Sequence, residues 1–169
     1  MNKILKITHF LGLAVFLGSI PGHIVLGRLV DPAADLKGFT LLMHAKYMTI
    51  LALTLPGVAL MLLTGIAMML RRGTTPNKFR WMAVKLALVA LIALNGAFVL
   101  TPLARDIAAA AQAAVTTGSL PAGFADLARK EGAFGAANLA MILAVIGLAV
   151  VKPSLGRTAV NTRAEEPMS

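Results

Sequence analysis

FTLLMHAKYMTILALTLPGVALMLLTGIAMML, residues 39–70, holds one formally charged side chain, Lys46, and one histidine, His44. A bilayer core needs about 20 consecutive apolar residues in helical form. The segment therefore reads as a membrane span, and as one longer than a straight crossing requires, so tilt or bending is expected. Pro56-Gly57 in its middle removes one backbone hydrogen bond and predicts a kink.

Outward from it, three more stretches have the same character, at about residues 4–29, 81–104 and 132–151. The whole chain is 58% hydrophobic and only 14% charged, with mean hydropathy +0.81; soluble domains carry about 25% charged residues. The expected fold is an all-α integral membrane four-helix bundle spanning residues 1–153, followed by a polar tail at 154–169. The third helix is expected to continue, alanine-rich, to about residue 117 before Gly118, Pro121 and Gly123 break it. The N-terminal run resembles a signal sequence, but it is too long and lacks a small-residue cleavage site, so it is read as a retained first helix.

Charge gives the orientation. Lys3, Lys6, Arg71, Arg72, Lys78, Arg80, Lys152, Arg157 and Arg163 fall on one side, with Glu165 and Glu166 as the only acids there. The other side carries Arg28, Asp31, Asp35, Lys37, Arg105, Asp106, Asp126, Arg129, Lys130 and Glu131, in which the signs balance. The positive-inside rule places both termini of this multi-pass protein in the cytoplasm. The +9 net charge is thus a topology signal and not a nucleic-acid footprint. With no cysteine, disulfides, thiolate zinc sites and iron–sulfur clusters are excluded. No nucleophile–histidine–acid set, zinc motif or phosphate loop is present.

All three histidines fall in or beside spans. Ionisable groups at membrane depth mark functional sites, and neutral imidazole is a common metal ligand. At 1.5 Å per residue, His9 and Lys85 lie at similar depth, roughly 8 Å from the cytoplasmic side. His23 and His44 lie near the outer ends of the first two helices. His9 and His23 are fourteen residues apart, close to four turns, and so leave one helix face about 21 Å apart. Two layers result: His9 with Lys85, and His23 with His44 as an expected bis-histidine pair, with Lys46 and Arg28 near the outer one. Lys85 would serve as a ligand through its neutral amine or as a cation for an acidic group. Met43 and Met48 flank His44, and Met68, Met69 and Met82 lie near the inner layer; thioethers suit Cu(I). Asn95 and Asn138 read as interhelical hydrogen-bonding groups.

The order of these residues carries a resemblance. Lys6-Ile7-Thr8-His9-Phe10-Leu11-Gly12, then Pro56-Gly57 and Leu63-Thr64-Gly65, then Trp81-Met82-Ala83-Val84-Lys85, and finally Val151-Lys152-Pro153 resemble the haem-containing membrane protoporphyrinogen oxidases of bacteria. They also resemble the related copper-resistance D membrane domains. The resemblance implies b-type haem, one or two per chain, with functional positions on His9 and Lys85. The expected function is a redox or electron-transfer role, with catalysis at Lys85 and axial ligands among His9, His23, His44 and Lys85. The expected partners are the lipid bilayer, a quinone, a porphyrin or a redox protein, and a second copy of the chain. The alternatives are copper or solute transport with Met43, His44 and Met48 at the outer face, or a small subunit of a membrane redox complex.

Overall fold

The computed structural model describes residues 3–71 and 80–151. The tail at 154–169 and the basic residues Arg72, Lys78, Lys152, Arg157 and Arg163 lie outside the described residues. The described chain is helical, with no strand, and forms four spans. The first is α1 (Lys3–Leu26). The second joins α2 (Leu36–Thr49) to α3 (Leu55–Arg71) through a π-helical turn, Ile50–Thr54. The third joins α4 (Arg80–Asn95) to α5 (Thr101–Thr117) through a π-helical turn, Gly96–Leu100. The fourth is α6 (Phe124–Val151). This is an all-α membrane bundle. Lys3, Arg71 and Val151 mark its lower end, and Leu26, Leu36, Thr117 and Phe124 its upper end.

Both long spans use one device to accommodate proline. Leu55 N–H bonds Ile50 O, and Thr101 N–H bonds Gly96 O. Each is a five-residue closure just before Pro56 and Pro102. A proline inside a helix lacks its own donor and crowds the carbonyl four residues back, at a cost of about 3 kcal/mol. Widening the preceding turn relieves that crowding, and π turns of this kind mark bends in membrane helices. The Thr101 hydroxyl also donates to Gly96 O at 2.8 Å, occupying the carbonyl that the wider turn exposes. The kink expected at Pro56 is thus a π turn, and Pro102 has a second one that the sequence reading did not assign.

The second span, and the third counted from Met82, each run 36 residues, about 54 Å, against a hydrocarbon core of roughly 30 Å. Their upper portions, α2 and α5, extend beyond the core and pack on each other. Asp35 caps α2, its Oδ1 accepting from Gly38 N–H at 2.8 Å, a usual N-terminal signal. Gly118 ends α5 at φ 79, the left-handed position that glycine fills freely. Between them lies a small core of Phe39, Met43, Ile107, Ala108 and Ala111, with Phe124 closing it edge-on to Phe39 at 5.7 Å between ring centres. The Thr40 hydroxyl crosses to Ala111 O at 2.9 Å. Ala111 and Ala114 have no exposed surface, so the helices meet at backbone range. Ala111→Leu is expected to cost about 1–3 kcal/mol by overpacking, read as a lowered unfolding temperature in detergent; an unchanged midpoint would mean that this contact is loose.

Helix boundaries differ from expectation mainly in the fourth span, which begins at Phe124 and not near residue 132. Asp126, Arg129, Lys130 and Glu131 look like loop residues by charge, yet Phe124 and Leu127 pack on the α2–α5 core and hold the first turns helical. Lower down, α1 packs along α3 and α4 along α6. At mid-depth Phe16, Met61, Ile92 and Ile142, one from each span, form a second buried cluster.

Candidate functional site

Below that cluster the four spans line a half-open cavity of about 570 Å³, within the range of roughly 300–1,000 Å³ typical of ligand sites. Phe16, Met61, Ile92 and Ile142 form its ceiling, and His9, Lys6 and Lys85 are the ionisable groups on its wall. The inner pair expected from depth, His9 and Lys85, is therefore brought to one cavity.

The local sequence fixes how His9 stands there. Gly12 and Gly57 let α1 and α3 approach closely: a Cβ on Gly12 would lie 2.8 Å from Met61 N, and one on Gly57 2.9 Å from Phe16 N. One turn below this crossing, His9 Nδ1 lies 3.0 Å from both Met61 O and Thr64 Oγ. The carbonyl can only accept. The Thr64 hydroxyl spends its own proton on Leu60 O at 2.6 Å, so its oxygen also accepts from His9. The network therefore assigns the proton to Nδ1 and leaves Nε2 with a bare lone pair. Gly65 seats the ring, since a Cβ there would meet His9 Cε1 at 3.3 Å. Thr64 and Lys6 are site residues that the sequence reading missed. The hydroxyl four residues from Leu60 looks like ordinary helix back-bonding, and Lys6 looks like an interfacial cation.

The outer layer is different from its expectation. His23 is half-buried, with Nε2 3.4 Å from Thr54 Oγ, and Lys46 lies within electrostatic reach of it. His44 is exposed. Residues two apart on a helix point about 160° away from each other, so with Lys46 turned toward α1 and α6, His44 turns away from His23. Depth separates them too: His23 stands beside Thr54 and Gly27 beside Lys46, so His44 lies about 9 Å above His23, and the bis-histidine pair is not formed. The same rotation dismantles the outer copper set: Met43 is buried against α5, whereas His44 and Met48 are exposed. Among the described residues no group of three or more His, Asp or Glu side chains converges as a metal site. Lys46 instead bonds Glu131 Oε2 at 2.6 Å, with side chains 12% and 17% exposed. Glu131 went unrecognised because its segment was read as a connection.

No curated protein and no solved structure matches the chain. A family model described as "Predicted integral membrane protein (DUF2269)" matches residues 3–153. That family is neither the haem-containing protoporphyrinogen oxidases nor the copper-resistance D domains, and the resemblance drawn from His9, Pro56-Gly57 and Lys85 is corrected accordingly. The physical reason lies in the motifs themselves. Gly12 and Gly57 are demanded by a close helix crossing and Pro56 sits behind a π turn, features that any tightly crossed membrane bundle can share. The chain belongs to the DUF2269 family of predicted integral membrane proteins.

Proposed function

We propose that this protein is a b-type haem protein with an electron-transfer role, holding one haem in the lower cavity with His9 Nε2 as an axial ligand. The observation that carries the reading is the His9 tautomer. A ligating histidine typically donates its other N–H to a carbonyl or similar oxygen, which orients the ring and raises its basicity. His9 has that arrangement and stands on the wall of an apolar cavity. The residues fit the group in three respects: ligand, apolar walls for a flat macrocycle, and the cations of Lys6 and Lys85 for its two propionates. Haem would supply a one-electron carrier, exchanging electrons with a quinone or a partner redox protein. Porphyrinogen oxidation rested on the corrected resemblance and is not carried forward. Exposed Lys3, Lys6 and Arg71 at the lower end favour that end as cytoplasmic, in a bacterial inner membrane.

The test is the oxidised and reduced absorption spectrum of protein expressed with ample haem. The expected result is a Soret band with about one haem per chain, lost in His9→Ala and retained in His23→Ala and His44→Ala, and weakened about 10–100-fold in haem affinity by Thr64→Val. Colourless protein overturns the reading. A second reading has one specific observation behind it: Met61, Met68, Met69 and Met82 line the same cavity as His9, a thioether–imidazole set suited to Cu(I). Elemental analysis of the same preparation, copper against iron, decides between them.

A further inference from the structure

One turn above the apolar ceiling lies a layer that the lower cavity does not use. Ser19 is three residues from Phe16, Asn95 three from Ile92, and Asn138 four from Ile142, so each shares a helix face with a ceiling residue. Ser19 and Asn138 are 4% and 8% exposed. Thr54, the last residue of the first π turn, joins them by donating to Ser19 Oγ at 2.9 Å. All four spans thus place one polar side chain at the same level.

Two atoms of this layer have no partner. Asn95 Nδ2 donates to Phe134 O at 3.1 Å, which fixes its orientation, and Asn95 Oδ1 and Asn138 Oδ1 are buried without a hydrogen bond among the described residues. Each such orphan costs about 1–3 kcal/mol. Two buried acceptors without a partner call for a small hydrogen-bond donor, and water is the donor that buried polar groups between helices usually recruit.

The layer also has a way in. His23 Nε2 lies 3.4 Å from Thr54 Oγ, Thr54 donates to Ser19, and Ser19 donates to Phe16 O at 2.7 Å. With His23 as donor, all three contacts point the same way, from the upper end towards mid-membrane. Lys46 and Glu131 stand at the mouth, beside His23 and Gly27, where a Cβ would come 3.4 Å from Lys46 Nζ.

We propose that the upper half of the bundle is a water-binding site: a narrow hydrated path from the Lys46–Glu131 mouth to Asn95 and Asn138. It brings water and protons to the apolar layer that separates it from the lower cavity. This rests on the orphan amides and the hydroxyl chain, and it stands whether the cavity holds haem, copper or neither.

The chain has no cysteine of its own, so single cysteines report local hydration without background. Ser19→Cys and Asn138→Cys sample the polar layer from two helices, Ile142→Cys samples the apolar layer, and exposed His44→Cys marks the upper side. The probe is Ag⁺, small enough for a single file of water, added to sealed proteoliposomes on the side from which His44→Cys reacts. Monodisperse elution of each variant is required before it is scored. A thiolate is the reacting form and needs a hydrated setting. Ser19→Cys and Asn138→Cys are therefore expected to react within about tenfold of His44→Cys, and Ile142→Cys at least about a hundredfold more slowly. If both polar-layer cysteines are as slow as Ile142→Cys, the layer is dry and the proposal falls.

Discussion

Gly57→Leu is expected to destabilise the native bundle severely. The Gly57 hydrogens face Phe16 N and Gly12 O, and even a methyl carbon would sit 2.9 Å and 3.2 Å from these backbone atoms. Backbone cannot rotate aside as a long side chain can. The first and second spans must therefore separate by the thickness of the added group. Overpacking alone costs about 1–3 kcal/mol, and here it also disturbs the Ser19–Thr54 bond above and the His9 contacts with Met61 and Thr64 below. A loss of about 3 kcal/mol or more is expected, a large part of a typical stability of roughly 5–15 kcal/mol. The measurement is thermal unfolding in detergent, with Gly147→Ala as reference. Gly147 has open space around its absent Cβ, and glycine-to-alanine in a helix is neutral to stabilising by up to about 1 kcal/mol. If Gly57→Leu unfolds where Gly147→Ala does, the α1–α3 crossing is not the structural centre of the molecule.

The same crossing marks how far the sequence could be read. Four apolar runs gave four spans because a bilayer filters so strongly for length and hydropathy that composition decides the matter. Pro56 and Gly57 were visible as an irregularity, but their two roles were not: proline sets a π turn, glycine a contact with another helix, and the second role depends on Phe16 and Gly12, more than forty residues away. Depth was legible for His9 and Lys85, since rise per residue is fixed, and both do line one cavity. Rotation was not. His44 and Lys46 differ by two positions and point to opposite sides, and which faces inward is set by packing of α2 on α5 and α1 and by the Lys46–Glu131 pair with α6. Glu131 was missed for a related reason. Charge next to a span reads as a loop, whereas tertiary contact at Phe124 and Leu127 keeps those turns helical and brings the carboxylate to Lys46.

That ion pair supports the second large effect. Lys46 and Glu131 join α2 to α6 at 2.6 Å with both side chains mostly covered, whereas the other two ion pairs among the described residues, Arg105–Asp106 and Arg129–Asp126, are exposed. Exposed pairs of that kind contribute roughly 0–1 kcal/mol. A covered pair behaves differently, because removing one partner leaves the other charge desolvated, at a cost of about 3–5 kcal/mol. Glu131→Gln is expected near the lower end, about 3 kcal/mol, since Lys46 can turn its flexible stem towards water at the upper end. Replacing both groups, as in Lys46→Met with Glu131→Leu, removes the orphaned charge and is expected to restore most of the loss, because apolar substitutes for a buried pair are often neutral or stabilising. The double-mutant cycle on unfolding midpoints reads this directly. Additive losses would show that the two groups act separately, and that α6 is held at its upper end by the packing of Phe124 and Leu127 on the α2–α5 core. A coupling of about 2 kcal/mol or more makes the pair the tie between α6 and α2. Since α6 runs unbroken from Glu131 to the Ile142 and Val145 wall of the cavity, a loosened tie would then change the chamber about 16 Å below it.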